Sequence, residues 1–410
     1  MFSNLKTTKI IVFVGLLLVI IFKINFSDLL VNELYTDKPS YYPDEVVKVF
    51  ASTNFFTSFT DEINITNCSG KVIDSFHIEL THQQPSTKNE LSDGLNFKKF
   101  TEYRLPAIIE SGIYLINNKY PIIIKSSEKK NVTVVYPYVN NILYHPRENK
   151  TVFSENLKYA SLLRTISIDK YTEGLFNFFV QLDSLNTVNY ITDIDLENSL
   201  NFDSSKLLII YGKSTCWTPK MKNSLENFIK TGRNVLLITS YTMNNICWYD
   251  SKQQKITMYD SNSTRMKSWQ NYDTIHYKNS IGVSYTNGGY SVENYYKIVD
   301  SKHPILNGIA DDKIKFNADL YNSPPVKWYD DLPEIDLEGL GFYKGEIIAY
   351  HHAAYHKGDK GIKGIFMLQP DSTSGKIVCL GTEDWCIKEN YQDKKELQII
   401  TKNAIEFLLK

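Results

Sequence analysis

Leu207-Leu208-Ile209-Ile210-Tyr211-Gly212 is followed by Lys213-Ser214-Thr215-Cys216-Trp217, by Thr218-Pro219 and a helical pattern to Gly232, and by Val235-Leu236-Leu237-Ile238. The first run is short, apolar and closed by glycine, as expected of a strand buried on both faces. Lys213–Trp217 reads as a turn. Thr218 offers a capping oxygen, and Pro219 falls at the first helical position, where a missing N–H costs nothing. Met221, Leu225, Phe228 and Ile229 share one helical face, and Gly232 ends the helix. Val235–Ile238 is a second buried strand. Right-handed crossover makes the two strands parallel. In open parallel sheets ligands sit beyond the carboxyl ends of the strands. The Cys216-Trp217 turn and the Cys247-Trp248 segment therefore mark the expected rim.

Outward from this unit the same alternation continues. Upstream, Leu175, Phe178, Phe179 and Leu182 have helical spacing, and Val188–Ile191 follows as a strand with Asp193 and Asp195 just past it. Downstream, Ile347–Tyr350 and Ile377–Gly381 read as strands. Lys394–Leu409 closes the chain as an amphipathic helix with Leu397, Ile400, Ala404 and Leu408 inward. Residues 137–410 thus read as a doubly wound α/β domain. Within it, Pro137–Arg147 reads as an irregular aromatic loop and Tyr249 to about Gly345 as loop-rich. Residues 37–136 carry an all-β signal. Val46–Phe50 and Glu62–Thr66 are short strands, and Gly112–Ile116 and Tyr120–Ile124 form a hairpin across Asn117-Asn118-Lys119. Asn131–Tyr136 reads as the last strand of a small β-sandwich.

At the amino end, Ile10–Phe22 is an unbroken apolar run preceded by Lys6 and Lys9. Extended to Phe26 it is long enough to span a bilayer. No small-residue cleavage site follows, so the pattern predicts an uncleaved anchor over 9–26. The basic flank places residues 1–8 in the cytoplasm and the bulk outside, in a periplasm or at the cell exterior. The net charge is -1, from 45 basic and 46 acidic residues. No basic stripe or block appears, which argues against a nucleic-acid partner. Five cysteines, with no C-x-x-C spacing, are too few to staple the fold.

Several residues could carry chemistry, and each has a plainer reading. Cys216 sits where α/β hydrolases place a nucleophile, and a histidine would activate it. The flanking glycines of a nucleophile elbow are missing, and the alternative is a buried or disulfide-bonded thiol. Cys216 and Cys247 follow successive strands, which allows a disulfide between them. His351-His352 with His356 would meet a metal only on a helix; otherwise they are solvated loop histidines. Glu383 and Asp384, before Trp385, suit general acid–base work or the capping of a turn.

Tyr211-Gly212-Lys213-Ser214-Thr215-Cys216-Trp217-Thr218 resembles the G-H-x-E-Y-W-S/T motif of the N,N-dimethylformamidase large-subunit family. Asn244-Asn245-Ile246-Cys247-Trp248 resembles that family's N-x-x-Y-W. Thr192-Asp193-Ile194-Asp195-Leu196 resembles T-D-x-D-L, and Gly381-Thr382-Glu383-Asp384-Trp385 resembles G-T-x-D-W. Order and spacing match over roughly Pro43 to the carboxyl terminus. The resemblance implies a β-sandwich joined to a glutamine-amidotransferase-like domain, and amide hydrolysis at an iron held by tyrosine and glutamate. The chain departs at the motif histidine and glutamate, here Lys213 and Thr215, and at two tyrosines, here Cys216 and Cys247. Soft thiols replace hard oxygen donors, so the iron is not carried over. Two functions follow as expectations. One is a hydrolase of C–N bonds built on Cys216 and Asp384, with Asp193, Asp195, Cys247 and Glu383 around it. The other is a non-catalytic envelope scaffold or binding protein, with Trp217, Trp248 and Trp385 holding a small molecule or glycan.

Overall fold

The computed structural model describes residues 31–53, 58–82, 87, 89–147, 149–168, 174, 176–185, 188–239, 242–258, 295–316, 344–353, 361–382, 385, 388–391 and 393–410. The apolar run Ile10–Phe22, His356, Glu383, Asp384 and Cys386 lie outside them. Among the described residues no helix is long and apolar enough to cross a membrane.

Eight strands come first: β1 (Val31–Thr36), β2 (Ser40–Tyr41), β3 (Val46–Thr53), β4 (Phe59–Asn67), β5 (Val72–Leu80), β6 (Thr101–Arg104), β7 (Gly112–Ile116) and β8 (Tyr120–Ile124). Strands β1, β3 and β6 make one sheet, and β2, β8, β7, β4 and β5 lie side by side in another. Alternate residues explain why the sheets pack face to face. Val47, Val49 and Ala51 from the first meet Ile63, Ile65, Ile78, Ile116, Ile122 and Ile124 from the second in one buried cluster. The β7–β8 hairpin turns through Asn117 and Asn118 at φ of 54° and 53°. Asparagine tolerates that left-handed backbone, as the tight turn requires.

The rest of the chain supplies β9 (Val132–Tyr136), α1 (Tyr138–Tyr144), β10 (Tyr159–Ser161), α2 (Phe176–Leu185), β11 (Val188–Thr192), β12 (Leu207–Tyr211), β13 (Ser214–Trp217), α3 (Pro219–Lys230) and β14 (Asn234–Ile238). These are followed by β15 (Thr242–Ile246), β16 (Trp248–Asp250), β17 (Lys255–Thr257), β18 (Tyr295–Ile298), β19 (Lys313–Lys315), β20 (Lys344–Ala353), β21 (Gly361–Gln369), β22 (Ile377–Cys379) and α4 (Lys395–Leu409). Among the described residues one sheet has nine strands, in the order β11-β9-β12-β14-β22-β21-β20-β18-β19. Its first five strands are parallel. The others pair antiparallel. The central βαβ unit forms as the sequence predicts: Leu208 lies opposite Val235 and Ile210 opposite Leu237. Thr218 accepts the Met221 N–H, Pro219 follows, and Gly232 turns away at φ 82°. One face of the sheet packs Leu208, Ile210, Val235 and Leu237 against Met221, Leu225, Phe228 and Ile229 of α3. The opposite face packs Ile209, Leu236 and Val378 among Phe179 of α2 and Ile400 and Ala404 of α4. Each large apolar side chain taken fully out of water contributes roughly 1.5–3 kcal/mol. Helices on both faces bury these strands throughout.

Four segments differ from the sequence reading. Asn131–Tyr136 is expected to close the sandwich, yet β9 lies between β11 and β12 in the parallel sheet. Its Val-Thr-Val-Val-Tyr run suits any buried strand, so only its neighbours choose the sheet. The expected turn at Lys213–Trp217 contains β13, which pairs in parallel with β15. The expected loop at Pro137–Arg147 contains α1. No local side chain caps that helix; its cap comes from Asp193, distant in sequence. His351 and His352 lie on strand β20 rather than on a helical turn.

Candidate functional site: the rim of the parallel strands

Past the carboxyl ends of β11, β12 and β14 the chain brings Asp193, Cys216 and Cys247 near one another. What each one does there is decided by its partners.

Asp193 follows β11 and is 1% exposed. Both its carboxylate oxygens accept the Val139 N–H at 3.1 Å, and Oδ1 also accepts the Ile194 N–H at 3.0 Å. It therefore caps α1 and its own short 3-10 turn. Burial pushes its pKa up to about 8, and the backbone donors only partly offset that. Near neutral pH the group holds its proton for most of the time.

Asp195 lies two residues on and faces the sandwich. Its Oδ2 accepts from Ser40 Oγ at 2.7 Å, from Thr192 Oγ1 at 2.7 Å and from the Thr192 N–H at 2.8 Å. Its Oδ1 accepts from Lys125 Nζ at 3.0 Å. Both ionic side chains of that pair are largely buried, with 13% and 12% exposed. Ser40 and Lys125 belong to the sandwich side, so this carboxylate joins the two layers.

Cys216 is 1% exposed and Cys247 is fully buried. Both are free thiols. Cys216 stands opposite Asn245 in the β13–β15 pairing, and the Cys247 N–H donates to the Trp217 carbonyl at 3.0 Å. Burial pushes the Cys216 thiol up to about 12. Burial, with Cys216 and Asp193 nearby, holds the Cys247 thiol well above its usual range. A thiol that stays protonated is a poor nucleophile. The adjoining Thr215 donates its hydroxyl to Asn140 Oδ1 at 2.7 Å, and its N–H to the same oxygen at 3.2 Å.

The three tryptophans do not share a pocket. Trp217 is fully buried among the α3-side residues, and its Nε1 donates to the Ser214 carbonyl at 2.8 Å. Trp385 is fully buried in the cluster on the other face, where its Nε1 donates to Thr401 Oγ1 of α4 at 2.9 Å. Trp248 is 36% exposed, on the small sheet formed by β10, β17 and β16. Glu383 and Asp384 lie outside the described residues. Gly381, ahead of them, has φ 84°, and a Cβ there would stand 2.4 Å from the Gly364 carbonyl oxygen. Glycine at that position of the G-T-x-D-W-like stretch is thus a backbone requirement.

The iron implied by the resemblance calls for hard oxygen donors. The oxygens of Asp193 and Asp195 are engaged as described, and the two thiols are soft donors. Among the described residues no three His, Cys, Asp or Glu side chains gather as ligands. The described residues do not fit that metal.

Sequence reasoning missed Ser40, Lys125, Asn140 and Arg164. The first three act across long separations that no local pattern encodes. Arg164 had one signal, an arginine inside the otherwise uncharged stretch Tyr159–Ile168 of a lysine-rich chain.

With this geometry in hand, the class of protein is an α/β layer with parallel strands carrying a two-sheet β unit. No family model and no curated protein matches the chain. Solved structures similar to it include a ThuA-like protein from Bacteroides uniformis, at 10% identity, 68% of this chain, 89% of that one and TM-score 0.35. The N-terminal domain of IFT52 is similar at 12% identity, 59% and 93% coverage and TM-score 0.37. A β-galactosidase from Bacillus circulans is similar at 13% identity, with 68% of this chain, 31% of that one and TM-score 0.36. These are loose likenesses of outline, and no residue role is taken from them.

Proposed function

We propose that the chain is a membrane-tethered, extracytoplasmic scaffold or binding protein whose rim residues hold its layers together instead of turning over a substrate. The tether is the Ile10–Phe22 run with its Lys6 and Lys9 flank. The observation that carries the reading is the engagement of Asp195 by Ser40, Lys125 and Thr192, which ties the two layers together. Three donors meet its Oδ2 and the Lys125 ammonium meets its Oδ1, so the carboxylate is committed to a structural contact. Cys216 and Cys247, buried and protonated, support the same conclusion. Ligand contact on this reading falls to exposed surface, such as that around Trp248, rather than to the buried tryptophans.

Metal analysis and peptide-level thiol mapping of the purified full chain test the proposal. The expected result is no stoichiometric iron or zinc. Native iodoacetamide at pH 8 should leave Cys216, Cys247 and Cys379 unmodified until denaturant is added. Stoichiometric metal that disappears in Cys216→Ala would overturn the reading in favour of a hydrolase acting on C–N bonds.

A further inference from the structure

Away from the rim, β10, β17 and β16 form a small antiparallel sheet of their own. Residues paired across such a sheet point to one face, and successive rows alternate between the two faces. Ala160, Ile256 and Tyr249 make one row. Ala160 and Ile256 are fully buried in the large core cluster, and Tyr249 packs against it. The next row, Tyr159, Thr257 and Trp248, points the opposite way. Tyr159 is 49% exposed and Trp248 36%, with the half-buried Thr257 between them. Two aromatic side chains thus stand outside, on a sheet whose back is fixed to the core.

Their separation follows from the ladder. Tyr159 and Trp248 both pair with Thr257, so they lie two interstrand steps apart, about 10 Å. The same face continues into the row Ser161, Lys255 and Asp250. Lys255 Nζ lies 3.6 Å from Asp93 Oδ1, on the short helical turn Glu90–Asp93. The cation of that row already has a carboxylate beside it, so the face offers little to a polyanion such as nucleic acid. A protein partner of standard size needs about 800 Å² a side with an apolar centre. One row of three side chains bordered by charged residues does not supply that. What the row offers is two apolar ring faces, a hydroxyl between them, and donors and acceptors along one border.

A pyranose sugar has the matching chemistry. Its axial C–H face is apolar and slightly positive, and packs on the negative face of an aromatic ring. Its hydroxyls lie around the edge, where Thr257, Lys255, Asp93 and Asp250 are placed to meet them. In an extended β(1→4)-linked chain alternate rings turn the same face to the same side, at much the separation of the two aromatics. We propose that Tyr159, Thr257 and Trp248 form a binding platform for an uncharged, extended β(1→4)-linked polysaccharide. One sugar ring stacks on each aromatic, and the intervening ring lies over Thr257. The platform deepens the reading of the chain as a binding protein and rests on that reading's placing of ligand contact on exposed surface.

The test is calorimetric titration of the full chain, in a polyoxyethylene detergent, with cellohexaose, mannohexaose, N-acetylchitohexaose, cellobiose and maltohexaose. At least one of the three β(1→4) hexamers should bind. Cellobiose is too short to reach both aromatics, and should bind at least about tenfold more weakly than the best hexamer. Maltohexaose, whose α-linked rings follow a helix, should be weaker by a similar factor. Trp248→Ala and Tyr159→Ala should each weaken hexamer binding about tenfold without changing the melting temperature. Trp248→Tyr, which keeps a flat ring, should retain most of the affinity. No binding of any β(1→4) hexamer at millimolar concentration would overturn the proposal. So would undiminished binding in both alanine variants, or equal affinity for cellobiose and the best hexamer. A dimer in sedimentation velocity that Trp248→Ala dissociates would overturn it too, by giving the surface to a second copy of the chain. None of these outcomes touches the non-catalytic reading, which is decided by the metal and thiol measurements; stoichiometric metal with hexamer binding intact would sink that reading and leave the platform.

Discussion

Asp195 and Arg164 are both buried charges at the contact between the β-sandwich and the α/β layer, and the fold treats them in different ways. Asp195 receives Lys125 on one oxygen and two hydroxyls on the other, so its charge is neutralised and both oxygens are engaged. Arg164 has no hydrogen-bond partner on two of its nitrogens among the described residues, and the carboxylates that share its cavity, Glu33 and Glu90, touch Arg147 instead. A buried charge is tolerated only when it is compensated. The first charge is compensated by direct hydrogen bonds, and the second by carboxylates bound to a neighbouring guanidinium. The same rule separates Asp193 from Asp195. They are two residues apart, yet the one without a cation takes up a proton instead.

Breaking the Asp195 contact should have the largest effect. Asp195→Ala strands Lys125 and the Ser40 and Thr192 donors, and should cost about 4 kcal/mol in urea unfolding. Lys125→Met should cost nearly as much, and the double variant much less than the sum, which a double-mutant cycle would show. Asp193 should impose a pH slope. Its folded pKa of about 8 lies above the unfolded value of about 4, so the folded state holds the extra proton between them. That contribution is full below about pH 4, is lost as pH rises toward 8, and is flat beyond. Between about pH 5 and pH 7 it should amount to roughly 3 kcal/mol, two pH steps at about 1.36 kcal/mol each, and Asp193→Asn should flatten it. The Arg164 contact should respond in the same direction but less. Arg164→Met leaves Glu33 and Glu90 facing the single Arg147 guanidinium and should destabilise by about 1 kcal/mol in urea unfolding. Smallest of all, Trp248→Ala should change stability by no more than about 0.5 kcal/mol, as an exposed position with no buried partner. A large loss there would mean that the exposed tryptophan is tied into the fold as Trp217 and Trp385 are.

The parts of the fold legible in the sequence were those written in short periods. The β12–α3–β14 unit, the Asn117-Asn118 hairpin and the inward face of α4 each depend on residues within a few positions of one another. The parts that were not legible depend on distant partners. Helix α1 reads as a loop in the sequence because its cap is Asp193 rather than a neighbour. Strand β9 reads as part of the sandwich because a Val-rich run does not name the sheet that will bury it. The candidate site suffered the same limit. Chain order brought Asp193, Asp195, Cys216 and Cys247 to one edge, but order says nothing of exposure. Trp217 and Trp385 looked like ligand walls and are packing residues on opposite faces of the sheet.

By itself the sequence determined the elements written in short periods, such as β12, α3, β14, the β7–β8 hairpin and α4, which of their faces are apolar, and that the central strands are parallel. Those follow from local backbone preference and from the periods of 2 and 3.6 residues. Tertiary structure alone decided the chemical state of the polar groups. Whether a carboxylate is saturated, a thiol protonated or a guanidinium left short of an acceptor depends on what lies within a few ångströms in space. For Ser40 and Asp195 those few ångströms span 155 positions of the chain.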